Sequence, residues 1–228
     1  VSHHGQHEAL DPFGRVGVAK GVPQHSAMGF QGFEFSQNWK KTCEHAQYPT
    51  SKRGLIVTQA PLMIQRSCRI PVPLTDCFAI YSRLRADEYI HSDAVIAPIT
   101  HIEMIRGKAF NEVGDIQRIT FKGGAVIDEE VLAFVPNRQF VYKGTGFSQP
   151  MLNWLDHAKG SFEFEKDGDG TVVTWRYLFY LKPGLASGAK RFVFKAMVVD
   201  LIWHRMMTKT LVNLTQIITL RALHTGKK

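Results

Sequence analysis

The end of the sequence constrains the fold most. From Ser187 to Leu223 the chain reads SGAKRFVFKAMVVDLIWHRMMTKTLVNLTQIITLRAL, with no Pro or Gly after Gly188. At about 1.5 Å per residue, a helix over this stretch runs roughly 50 Å, enough to cross a whole sheet. On a helical wheel Phe192, Ala196, Val199, Trp203, Met206, Leu214 and Ile217 fall on one side, while Lys190, Arg191, Lys195, Arg205 and Lys209 fall on the other. A helix of that length needs an apolar surface to lie on.

The preceding residues supply a sheet. MIQRSCRIPVP alternates as a strand does and stops at Pro71 and Pro73, where the ladder loses its donors. LTDCFAIYSRL then reads as a helix, with Thr75 or Asp76 to cap it, and ADEYIHSD as a second short one limited by Pro98. Six strand candidates follow: ITHIEMIRG, GDIQRITFKGG, AVIDEEVLAFVP, NRQFVYKGTG, LDHAKGSFEFEKDGDG and TVVTWRYLFYLKPG. Turns are marked by Gly123-Gly124, Pro136-Asn137 and Asp167-Gly168-Asp169-Gly170. In the last strand Val173, Trp175, Tyr177, Phe179 and Leu181 share one face, so one face of the sheet is buried. The expected fold is α+β: a curved antiparallel sheet of about seven strands, two short helices after the first strand, and one long terminal helix as the only element able to cover the apolar face. A curved sheet under a helix either fills its interior with side chains or keeps a pocket there.

Residues 1–57 show scattered Gly, His and Gln without a sustained period and read as a poorly structured N-terminal extension, with a short helix near Phe35–His45 as an alternative. The folded domain is placed at 58–224 and a tail at 225–228. Cys43, Cys68 and Cys77 show neither CxxC spacing nor an even count, His3, His4 and His7 form only a mobile cluster, and His91 and His101 lack further ligands. No metal and no cofactor is expected. Gly123-Gly124 precedes a strand rather than a helix, which removes the phosphate-loop reading. No run of 18 residues is free of charge, which argues against a spanning helix, and VSHHGQHEAL lacks the form of a signal peptide. A cytoplasmic protein is expected.

Net charge is +8, and Lys182 to Lys228 carries nine Lys or Arg against the single acid Asp200. On the terminal helix the basic side is interleaved with Phe194, Val198, Leu201, Ile202 and Val212. That mixture suits a solvated, partly covered face, an anionic membrane surface or a homodimer seam. Nucleic acid is not expected, since no base-stacking motif accompanies the charge.

Four local patterns carry a resemblance. They are Gly-x-x-x-Arg at Gly114 and Arg118, an acid followed by Val at Glu130-Val131, the aromatic pair Phe140 and Tyr142, and DGDGT-x-x-x-W from Asp167 to Trp175. Together they resemble the polyketide cyclase and dehydratase branch of the START-like (SRPBCC) superfamily, from about Gln65 to Leu223. The resemblance implies a helix-grip fold around a deep apolar cavity, in members that bind lipids, polyketides, quinones, sterols or hormones. It implies no single reaction.

Within the strands, Arg118 with Glu129 or Glu130 reads as a ligand-orienting pair or as a cross-strand pair on the solvent face. His157 is a candidate acid or base, although the alternation of Ala158, Gly160, Phe162 and Phe164 turns it outward unless a bulge intervenes. Tyr142 and Trp175 sit on apolar faces with one polar atom each, and Tyr177, Val199 and Trp203 join them on the faces expected to meet. The segment GFSQPMLNW, with Phe147, Met151 and Trp154, reads as the rim of a cavity. The expected function is binding of a hydrophobic small molecule between sheet and helix. A cyclase- or dehydratase-type enzyme using the same cavity, or lipid transfer at a membrane through the basic helix, are the alternatives.

Overall fold

A computed structural model describes residues 60–150, 152–185 and 188–225. The extension at 1–57, the three N-terminal histidines, Cys43, the helix considered at 35–45 and Met151 lie outside the described residues.

Seven strands form one antiparallel sheet: β1 (Leu62–Ile70), β2 (Ile99–Arg106), β3 (Ile116–Phe121), β4 (Val126–Val135), β5 (Gln139–Thr145), β6 (Leu155–Asp167) and β7 (Gly170–Leu181). Their order is β1-β7-β6-β5-β4-β3-β2, so β2 to β7 are a continuous meander. β1 pairs with β7 at the far edge, and the chain crosses to the opposite edge through α1 (Leu74–Tyr81) and α2 (Ala86–Tyr89). This is the helix-grip α+β arrangement expected from the sequence. Turn chemistry explains the register. Gly123 and Gly124 adopt φ of 94° and 83° between β3 and β4, and Asn137, at φ 58°, closes the β4–β5 turn where a short polar side chain tolerates the left-handed region.

Both short helices end earlier than their apolar spacing suggests. α1 begins directly after Pro73 with no side-chain cap, so neither Thr75 nor Asp76 serves as one, and it stops at Tyr81. α2 stops at Tyr89, where Ile90 turns extended, and Asp93 organises the turn that follows: its Oδ1 accepts hydrogen bonds from the backbone N–H groups of Val95 and Ile96, at 2.9 and 3.0 Å.

The terminal helix is continuous but not uniform. It runs as α3 (Gly188–Phe194), a π-helical stretch (Lys195–Trp203) and α4 (His204–Thr225). A π turn hydrogen-bonds i to i+5, so each residue in it rotates the helix less than an α residue does. The faces on either side of the stretch are therefore out of phase with one wheel drawn at 100° per residue. Phe192, expected to face the core, is 72% exposed, whereas Phe194 and Val198, expected outside, are fully buried. Leu201 and Val212 do remain exposed, as the wheel places them.

α4 packs along β1, α1 and α2. Polar bonds fix it there. The backbone N–H of His91 donates to Thr210 Oγ1 at 2.8 Å, and the guanidinium groups of Arg205 and Arg221 pair with Asp93 and Glu88. Lys195 in turn pairs with Asp200. Three cations of the terminal helix are thus already matched by acids.

Candidate functional site

The concave face of the sheet is built rung by rung. Strand pairing sets Met104 of β2, Gln117 of β3, Glu129 of β4 and Gly144 of β5 side by side on the inner face. The next inner rung is Ile102, Ile119 and Ile127. A bulge in β4 between Val131 and Ala133 keeps Phe134 on the inner face as well, opposite Phe140. Tyr142 of β5, Gly160 of β6 and Tyr177 of β7 form a further inner rung. Gly160 is needed here: a Cβ at that position would collide with the Tyr142 ring, which lies directly over it.

Between these strands and the helices lies a cavity of about 590 Å³, within the range that suits drug-sized ligands. Its walls include Ile102, Met104, Ile119, Phe134, Tyr142 and Tyr177, roofed by Tyr81, Tyr89, Trp203 and Met206. No residue of β1 or β6 contributes to the lining. The exposed lining residues are Arg83, Arg85, Lys108, Ala109 and Asn111, so the mouth opens between the turn after α1 and the β2–β3 connection.

Glu129 is the one acidic group on the lining. Protein surrounds its carboxyl. Desolvation pushes its pKa up from 4.5 to about 7, against a smaller opposing effect of Gln117, whose Nε2 donates to Glu129 Oε2 at 2.9 Å. Burial thus favours the protonated carboxyl. The phenols of Tyr81, Tyr89, Tyr142 and Tyr177 are all raised by burial and stay neutral. Trp175 Nε1 donates to Tyr142 Oη at 3.3 Å, and Trp203 Nε1 is buried with no partner among the described residues.

Of the residues singled out in the sequence, Glu129, Tyr142, Trp175, Tyr177 and Trp203 line the cavity. The others do not. Arg118 points to the convex face and forms a two-pronged bond to Asp128 at 2.7 and 2.9 Å, one rung from Glu129 but on the opposite side. Glu130 shares that outer side and pairs with Arg106. An orienting pair of Arg118 with Glu129 is therefore excluded by strand alternation. His157 faces away from Ala158, next to a register shift between Leu155 and His157. It stacks on Tyr180 with ring centroids 4.1 Å apart, and its Nδ1 lies 2.7 Å from Asp156 Oδ2. Desolvation lowers its pKa despite Asp156, but it does not reach the cavity.

The described residues of 146–154 lie outside the cavity lining. Phe147 is buried over Gly144 and Ile127, Trp154 stacks on Phe194 with ring centroids 6.4 Å apart, and Val199 is enclosed in the core. Their apolarity serves packing rather than a rim. The real mouth residues, Arg83, Lys108 and Asn111, were not singled out from the sequence because nothing local marks an exposed Arg or Lys as lying over a cavity. Gln117 was missed too, although its alternation with Ile119 on β3 was readable.

Among the described residues no group of three or more His, Cys, Asp or Glu is placed to hold a metal, and no helix is long and apolar enough to cross a membrane.

Comparison with solved structures agrees with the fold. Norcoclaurine synthase from Thalictrum flavum, a point mutant in complex with a transition-state analogue, superposes with a TM-score of 0.53 at 16% identity, covering 75% of this chain and 99% of that one. The same enzyme in complex with dopamine and hydroxybenzaldehyde gives 0.52 at 16% identity, covering 75% and 95%. Ara h 8.0201 aligns at 14% identity over 72% of this chain and 99% of its own, with a TM-score of 0.47. No curated protein matches. A family model described as polyketide cyclase / dehydrase and lipid transport matches residues 91–218, more than half of the chain, and the chain belongs to that family.

Proposed function

We propose that this protein binds an apolar, ring-containing or lipid-like small molecule in the cavity between its sheet and terminal helix. The observation that carries this reading is a hollow of about 590 Å³ walled by Ile, Phe, Met, Tyr and Trp side chains, with one carboxyl and one amide at its polar point. Burial of ligand surface supplies most of the affinity, at about 25 cal/mol per Å² before ordering costs. Glu129 and Gln117 then select for a hydroxyl or carbonyl on the ligand, since an unmatched buried polar group is costly. The test is saturable binding of a neutral apolar dye, N-phenyl-1-naphthylamine, together with native mass spectrometry of the purified protein. A dye that binds to saturation and is displaced by a co-purified compound supports the reading. Absence of saturable dye binding overturns it.

A second reading is favoured by one specific observation, the carboxyl of Glu129 poised near pH 7 inside an apolar enclosure. In a cyclase- or dehydratase-type reaction it takes a proton from an activated carbon and returns it to a leaving hydroxyl, while the cavity walls fold the chain. Glu129→Gln keeps the shape and the hydrogen bond to Gln117 but removes the proton-transfer group. Conversion of a poly-β-ketone thioester by the native protein, lost in Glu129→Gln, supports catalysis. Equal conversion by both rules out Glu129 as the base.

A further inference from the structure

The charged groups of the cavity lining are segregated. Arg83, Arg85 and Lys108 stand at the exposed mouth, and Glu129 is the one charged residue inside. Arg85 is already engaged by Asp87, with both its Nε and Nη2 at 3.1 Å from the carboxylate. Arg83 and Lys108 pair with no acid among the described residues.

The backbone around each is ordered by hydrogen bonds. Arg83 sits on the turn that closes α1, where its N–H donates to the Ile80 carbonyl at 3.1 Å. Lys108 lies in the β2–β3 connection, and the buried carboxylate of Asp115 organises that loop by accepting from the N–H groups of Asn111 and Glu112, at 3.2 and 2.7 Å. Both cations belong to the exposed part of the cavity lining, one from the turn after α1 and one from the β2–β3 connection.

An anion carried deep into this cavity loses its hydration and meets Glu129, a repulsive and desolvated setting. The same anion left at the mouth keeps part of its hydration and gains two cations. A neutral polar group has the reverse preference, since only the interior offers it the Gln117–Glu129 pair. Resting on the proposal that the cavity is a ligand site, we infer that the ligand is an amphipathic anion. Its apolar body lies inside and its single carboxylate or phosphate monoester is held at the mouth by Arg83 and Lys108.

The test displaces N-phenyl-1-naphthylamine from the full chain with decanoate, monodecyl phosphate and 1-decanol, in the native protein and in Arg83→Gln/Lys108→Gln. An unmarked apolar cavity favours the alcohol, which is the cheapest of the three to desolvate. The expected result is displacement by at least one of the anions at concentrations about fivefold or more below those of 1-decanol, a ratio that exposed ion pairs readily supply. That advantage disappears in the double variant, whose two changes fall on exposed side chains. Whichever anion is preferred identifies the carboxylate or phosphate source. An alcohol that displaces as well as both anions, or an anion preference that survives in the double variant, overturns the inference while dye binding leaves the cavity reading standing. No dye binding at all overturns both.

Discussion

The two flanks of the sheet bury similar residues to opposite effect. On the β1–β7–β6 side, Ile70, Phe162, Phe164, Val173 and Phe179 interlock with side chains of α1 and the terminal helix, and neither β1 nor β6 touches the cavity. On the β2–β5 side, the inner rungs of Met104, Gln117, Glu129 and of Ile102, Ile119, Ile127 face open volume. α4 packs against β1 and leaves the β2 edge uncovered by any comparable contact. The solid flank carries the stability that the hollow flank lacks, so loss of an apolar side chain has different consequences on each.

The largest expected effect lies on the solid side. Phe179 is fully buried among Tyr177, Phe194 and Trp203, and Phe179→Ala leaves a cavity costing about 3–5 kcal/mol. Ile102 is half-buried and already borders empty space, so Ile102→Ala costs about 1 kcal/mol or less. Urea unfolding of both variants checks the contrast. Equal losses would show that the two flanks do not differ in packing.

Next comes the buried carboxyl. Glu129 has its pKa raised from 4.5 to about 7, so between those values the folded protein binds a proton that the unfolded chain releases. Stability therefore falls as pH rises through this window, is unaffected by Glu129 below it, and levels off above it. The full effect is about 3 kcal/mol at most, taking the shift at face value. Glu129→Gln removes the penalty, and the variant is expected to be more stable than the native protein at pH 8 and indistinguishable near pH 4. A native protein whose Glu129-dependent stability is flat from pH 4 to 8 contradicts the burial of the charge.

Enlarging a side chain sharpens the comparison from the other direction. Val173 is completely buried in β7, and Val173→Phe overpacks a filled region at a cost of about 1–3 kcal/mol. Ile102→Phe extends into the hollow instead. Its expected stability change is within about 0.5 kcal/mol, while dye binding weakens because volume has been taken from the site. Thermal melting and dye titration of the two variants separate the outcomes.

This division was only partly legible in the sequence. Strand alternation and turn residues indicated seven strands and their inner faces, because period-two patterning reports burial directly and β7 displays it from Thr171 to Tyr177. Tyr142, Trp175 and Tyr177 were found in this way, and Trp203 from the helical wheel. Alternation does not report what stands opposite a face, so it could not distinguish Phe147 and Trp154, enclosed by packing, from residues that line the cavity. The terminal helix was legible in its length but not in its phase, because the π-helical stretch Lys195–Trp203 hydrogen-bonds differently from the α-helix assumed in drawing a wheel. Position in space also decided the charges. Three of the basic residues on that helix, Lys195, Arg205 and Arg221, are matched by Asp200, Asp93 and Glu88, and the two cations at the mouth that pair with no acid among the described residues come from loops far from it in sequence.

The smallest expected effect is the most exacting about how a strand sorts chemistry. Gln117 and Arg118 are neighbours on β3, and each bonds to the acid directly across from it on β4, Glu129 and Asp128. The two pairs differ in which side of the sheet they occupy. On the convex side Asp128 sits in solvent contact and its pKa is lowered by the Arg118 guanidinium, whereas on the concave side the same carboxyl chemistry is raised. Exposed pairs contribute little because water already solvates both partners. Arg118→Gln is thus expected to leave the urea midpoint at pH 8 within its measurement error, to leave dye binding unchanged, and to leave the pH dependence assigned to Glu129 intact. A change in dye affinity or in that pH profile would mean that the two rungs communicate through the sheet, and would place Arg118 back among the residues that shape the cavity.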